Sequence, residues 1–187
     1  MPTDTDRPLR NYYLLRFAVS ALWAAAVLTL GRQSDTATAI LLIAYPAWDA
    51  AANFADALRN GGLSRNPTQA TNVAVSTLAT IAVAATLGHG MNAVLAVFAA
   101  WAALSGFLQL LTGARRWTSH GAQWAMILSG AQSMLAGALM ARVAAGRWSA
   151  GLPNLAPYAA FGAFYFLVSA LWLSVGAARR RARGAAY

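Results

Sequence analysis

Apolar positions in this chain neither alternate nor keep to one helical stripe; they run on through six stretches. These are 12–31, 36–58, 68–87, 91–112, 122–142 and 155–178, with most charged residues gathered in the short gaps between them. A hydrocarbon layer of ~30 Å takes ~20 mostly apolar residues of helix at ~1.5 Å each. Each stretch has about that length. One could be a buried core helix, but six in succession leave no polar face with which to coat a soluble domain. The pattern predicts an all-α integral membrane protein, a six-transmembrane-helix bundle forming a single membrane domain over 1–187.

Composition sharpens this. Charged residues are 10% of the chain, against roughly 25% in soluble domains. All 14 basic residues are arginine, and the net charge is +9. Arg7, Arg10, Arg16, Arg59, Arg65, Arg115, Arg116, Arg179, Arg180, Arg181 and Arg183 fall at one end of the predicted spans; Arg32, Arg142 and Arg147 fall at the other. Cytoplasmic loops retain the positive excess, so both termini are expected in the cytoplasm. The basic segments then meet anionic lipid headgroups at the cytoplasmic face, not nucleic acid. Tyr12, Tyr13, Trp117, Trp124 and Trp148 are expected as interfacial anchors. A secretory signal would also start with Arg7 and Arg10 and end in Ala24-Ala25-Ala26. The apolar run continues to Leu30, however, so it is read as a retained span. Cysteine is absent, and His89 and His120 are expected on opposite faces of the bilayer. No nucleophile elbow, phosphate loop or metal-binding helix is present, so no enzyme activity, cofactor or metal is expected.

The chain also resembles itself. Arg16-Phe17-Ala18-Val19-Ser20-Ala21-Leu22, Asn72-Val73-Ala74-Val75-Ser76-Thr77-Leu78 and Ser129-Gly130-Ala131-Gln132-Ser133-Met134-Leu135 share the form polar-x-Ala-x-Ser-x-Leu. In the even spans, Tyr45, Ala47, Trp48 and Phe54 pair with Phe98, Ala100, Trp101 and Phe107, which sets Ala102 opposite Asp49. These strings predict three parallel two-helix hairpin repeats (11–59, 66–116 and 121–181) about an approximate threefold axis along the membrane normal. Small residues at fourfold spacing, such as Ser129, Ser133, Gly137 and Ala141, predict that the odd helices meet one another at that axis.

Polar groups inside the spans are the candidates for function. Asp49, Asn53 and Asp56 lie at i, i+4 and i+7 on one face of the second span, after a bend expected at Pro46. By helix rise Asp49 lies ~15 Å from the cytoplasmic end, where an ionised carboxylate costs ~2.5 kcal/mol or more unless paired or wetted. Arg16 is expected to pair with Asp56, with Asn72 and Gln109 near Asn53, and Ser76 and Gln132 level with Asp49. Asp49 is then either a proton or cation site, or a protonated donor in a polar clamp. The clamp is preferred, because no second carboxylate recurs.

Tyr45-Pro46-Ala47-Trp48-Asp49, Asn66-Pro67-Thr68-Gln69-Ala70 and Gly121-Ala122-Gln123-Trp124-Ala125-Met126-Ile127-Leu128-Ser129-Gly130, with the six-span layout, resemble the HdeD-like family of small bacterial inner-membrane proteins. The resemblance implies a link to envelope or acid stress without assigned biochemistry and carries over no catalytic residue. The leading expectation is a non-enzymatic membrane protein of that physiology. The alternatives are a transporter or channel moving protons or a small solute past the second helix, and a subunit docking a second copy or another membrane protein. Water access to Asp49 separates transport from clamp.

Overall fold

The computed structural model describes residues 7–30, 34–115, 117 and 123–184. Arg32, Arg116, His120, Gly121, Ala122 and the side chains of Arg181 and Arg183 lie outside the described residues, so the expectations placed on them are not met or refuted. Six helices carry the fold: α1 (Arg7–Thr29), α2 (Asp35–Arg59), α3 (Pro67–Thr86), α4 (Met91–Arg115), α5 (Gln123–Ala144) and α6 (Ala156–Gly184). Among the described residues there is no strand.

Local chemistry sets the helix ends. Ser34 caps α2, its hydroxyl accepting from the Ala37 amide at 3.1 Å, and Pro67 opens α3, where a missing N–H costs nothing. Gly61 and Gly62 end α2 with φ of +93° and +90°, a conformation a side chain would resist. Asn66, which precedes α3, makes no side-chain cap bond to it. Its amide instead donates to the carbonyls of Asn60 (2.8 Å) and Gly62 (2.9 Å), tying down the loop. α2 runs uninterrupted through Pro46. In the turn before it, the Trp23 indole donates to the Leu41 carbonyl at 2.7 Å.

Contacts run α1–α2–α3–α4–α5–α6 and back to α1, so the helices form a closed ring. Successive helices are antiparallel. Asp49, Asn53 and Asp56 of α2 bond Ser76, Asn72 and Gln69 of α3 in reverse order. The closest pairs are α4–α5, α1–α6 and α2–α3, and no two odd helices pack closely. This corrects the expected contact among odd helices. Their small residues face the neighbouring even helix instead. A Cβ added at Gly106 would lie 2.5 Å from the Gly130 carbonyl, and one at Gly137 would lie 2.7 Å from the Ala99 carbonyl. The middle of the ring is filled by polar and aromatic side chains, too bulky for backbones to meet there.

Outside, the bundle is apolar: Leu22, Ile40, Leu78, Ile81, Phe107, Leu135 and Phe164 are all exposed. Inside lie Arg16, Asp49, Asn53, Asn72 and Ser76. That reverses the arrangement of a soluble protein and matches a solvent of hydrocarbon. Five helices are long and apolar enough to cross a membrane. The 25-residue α2 is as long as α4, and its polar face turns into the ring. The chain is a membrane protein by these criteria.

Candidate functional site

α1 begins at Arg7, earlier than the apolar run suggested, so Arg16 lies ~14 Å along it by helix rise. Asp49 is about as far from the Arg59 end of α2. The two are therefore level, and Arg16 forms its ion pair with Asp49. The expected Arg16–Asp56 pair is not made. Asp56 sits farther out and accepts from Asn60 (3.1 Å) and Gln69 (3.4 Å).

Asp49 is fully engaged. One carboxylate oxygen meets Arg16; the other accepts from Ser76 (2.7 Å) and Asn53 (3.0 Å). Asp49 therefore stands in a buried ion pair with Arg16, within the same polar set that was expected to clamp the helices. Arg16 also donates to the Tyr12 hydroxyl at 3.0 Å, and its guanidinium carbon lies 4.5 Å from the centre of the Phe166 ring. Such stacking offsets part of the cost of burying the cation.

Two cavities meet at this pair. The outer one, about 70 Å³, opens at the arginine-rich end between Tyr12, Asp56, Thr68, Gln69, Gln109, Thr112, Ser129 and Ser169 and reaches Arg16, Asn53 and Asn72. The inner one, about 30 Å³, holds Asp49, Ser20, Ser105 and Ser133. Arg16, Gln109, Ser129 and Phe166 wall both. At ~10–15 Å³ per water position, they have room for about five waters and two. The floor is aromatic. The rings of Tyr45, Trp101 and Tyr158 form a triangle with centroids 5.8, 5.9 and 6.4 Å apart, all edge to face. Beyond it Val27, Leu42, Val83, Leu95 and Leu155 pack without exposure.

Each ring of the triangle meets a serine of the preceding helix. The Tyr45 hydroxyl donates to Ser20 (3.3 Å), the Trp101 indole donates to Ser76 (3.0 Å), and Tyr158 bonds Ser133. Residues 56 and then 57 apart recur throughout: Arg16, Asn72 and Ser129; Asn53, Gln109 and Phe166; Asp56, Thr112 and Ser169 all line the outer cavity. Asp49, Ser105 and Gly162 line the inner one. By this spacing Ser105 follows Asp49 and Trp101 follows Tyr45, each by 56 residues, where the aromatic strings had set Ala102 and Phe98.

Of the residues singled out in the sequence, Arg16, Asp49, Asn53, Asp56, Asn72, Ser76 and Gln109 converge here. Gln132 does not; it faces an outer groove between α5 and α6 with Leu135 and Phe161. Sequence reading missed Tyr45, Trp101 and Tyr158 as the floor. The spacing already visible between Ser20, Ser76 and Ser133 would have found them. Tyr13, expected at the interface, is buried and stacks on Phe166 at 6.2 Å. Trp117 and Trp148 are exposed. No cluster of metal-ligating side chains is found among the described residues.

Residues 74–142 match the family described as a short repeat of unknown function (DUF308). The match begins in α3 and extends through α4 and most of α5, and includes Ser76, Trp101, Ser105, Gln109 and Ser129. No curated protein and no solved structure matches the chain.

Proposed function

We propose that this is a non-enzymatic protein of the bacterial inner membrane that admits a small polar solute from the cytoplasm into a half-channel. Both termini lie in the cytoplasm, where the eleven arginines at one end of the spans hold them. The bundle is three parallel hairpin repeats about an axis through the cavities. The recurrence at 56 and 57 residues supports that reading, as does the match to a family described as a repeat. The HdeD-like assignment and its stress physiology rest on the resemblance of short strings alone.

One observation carries the transport reading: polar cavities run inward from the arginine-rich end to a buried ion pair and stop at an aromatic floor. Buried polar groups cost most in hydrocarbon. A bundle needing only a clamp would close around them, whereas here they border space. Movement of the Tyr45–Trp101–Tyr158 floor would complete the path. The test is uptake of small polar solutes by proteoliposomes. Uptake above that of empty vesicles is expected, with loss on Ser129→Leu, which fills the outer cavity. Rates equal to empty vesicles would leave the ion pair as a clamp and end the transport reading.

A further inference from the structure

From the chemistry of the outer cavity we infer its ligand class: a small zwitterion with one carboxylate and one ammonium, of the size of glycine. The inference rests on the cavity being entered from one side, as proposed above. The charged lining comes from one part of the ring. Arg16 on α1 and Asp56 on α2 stand on that side, and α3 and α4 supply the neutral amides Asn72 and Gln109.

Arg16 and Asn72 are both more than nine-tenths buried. Three atoms of this lining have no protein partner: the Arg16 Nε, a cationic donor, and the amide oxygens Asn72 Oδ1 and Gln109 Oε1. Leaving such groups unsatisfied in a dry interior is costly, so the site is built for something that supplies both an acceptor and donors. A lone anion would satisfy Arg16 and strand the two oxygens, and would face the Asp56 carboxylate. A lone cation would do the reverse and face Arg16. A zwitterion answers both, its carboxylate toward Arg16 and its ammonium toward the two amide oxygens and Asp56. Carrying no net charge, it also avoids repulsion from the arginines around the mouth. The space of about five water positions admits the five non-hydrogen atoms of glycine.

The experiment is equilibrium binding of labelled glycine to the full chain in nanodiscs, with acetate, methylammonium and glycinamide as competitors. Saturable glycine binding is expected, with each single-charge competitor at least tenfold weaker. Asn72→Leu and Gln109→Leu should each weaken it at least tenfold while the helical circular dichroism is kept. The competitor series on the unaltered protein decides the matter even where a variant fails to fold. Absence of saturable glycine binding overturns the inference, and so does acetate or methylammonium competing as well as glycine. Glycine that binds without crossing proteoliposomes would end the half-channel reading and keep the site. Uptake of other solutes without glycine binding would do the opposite.

Discussion

Arg16 and Asp49 are the residues on which the interior depends, because each is costly without the other. Removing one partner of a buried pair strands the remaining charge, at about 3–5 kcal/mol. Arg16→Met is therefore expected to lower unfolding stability in detergent by that order, as is Asp49→Leu. Arg16→Met combined with Asp49→Leu should recover a good part of the loss, since no charge is left buried. Denaturant titration followed by circular dichroism measures all three, and additive losses would show that the pair is not coupled. The charged residues and their helix face were legible from the i, i+4, i+7 spacing of Asp49, Asn53 and Asp56. The partner was not. The apolar run starts at Tyr12, whereas hydrogen bonding carries α1 back to Arg7, so Arg16 lies more than a turn farther along its helix than the run implies.

At the scale of helices, lipid offers no hydrophobic gain for association, so close packing must supply it. α4 and α5 approach backbone to backbone at Gly106 and Gly130, each of which would place a Cβ within 2.6 Å of the other's carbonyl oxygen. Gly106→Ala and Gly130→Ala should each destabilise the bundle by ~1–3 kcal/mol through overpacking. Gly88→Ala, where a Cβ meets nothing within 4 Å, should be near neutral in the same unfolding assay. Equal effects at all three positions would deny the close contact. The helices themselves were plain in the sequence, the six apolar runs differing from the observed helices by at most six residues at any end. Their partners were less so. Small-residue rows reveal that a face packs closely but not against what, and both neighbours of an odd helix are even. The spacing of 56 residues was also hidden in the even helices, because Tyr45 and Trp48 have the same three-residue spacing as Phe98 and Trp101. A slip of three residues keeps a side chain on nearly the same helix face, so aromatic pattern alone does not separate the two alignments.

For the whole molecule the governing asymmetry is a polar half facing the arginine-rich end and an apolar half beyond the aromatic floor. The chain lacks cysteine, so each introduced thiol is a single reporter against a silent background. Thr68 lies at the mouth of the outer cavity, Ser105 in the inner cavity, and Leu95 in the apolar half with no exposed surface. In inside-out vesicles, a membrane-impermeant thiol reagent should modify Thr68→Cys quickly. Ser105→Cys should react more slowly, through a passage of few water positions, and Leu95→Cys should not react. In right-side-out vesicles none of the three should be modified: the Tyr45–Trp101–Tyr158 triangle shields Thr68→Cys and Ser105→Cys, and apolar packing shields Leu95→Cys. Modification of Thr68→Cys from the outside would reverse the orientation drawn from arginine placement. Modification of Leu95→Cys in inside-out vesicles would show that water passes the floor at rest, making the path an open channel. The ordering of the three rates thus reads depth, direction and closure in one experiment, and each ordering corresponds to a different arrangement of the same six helices.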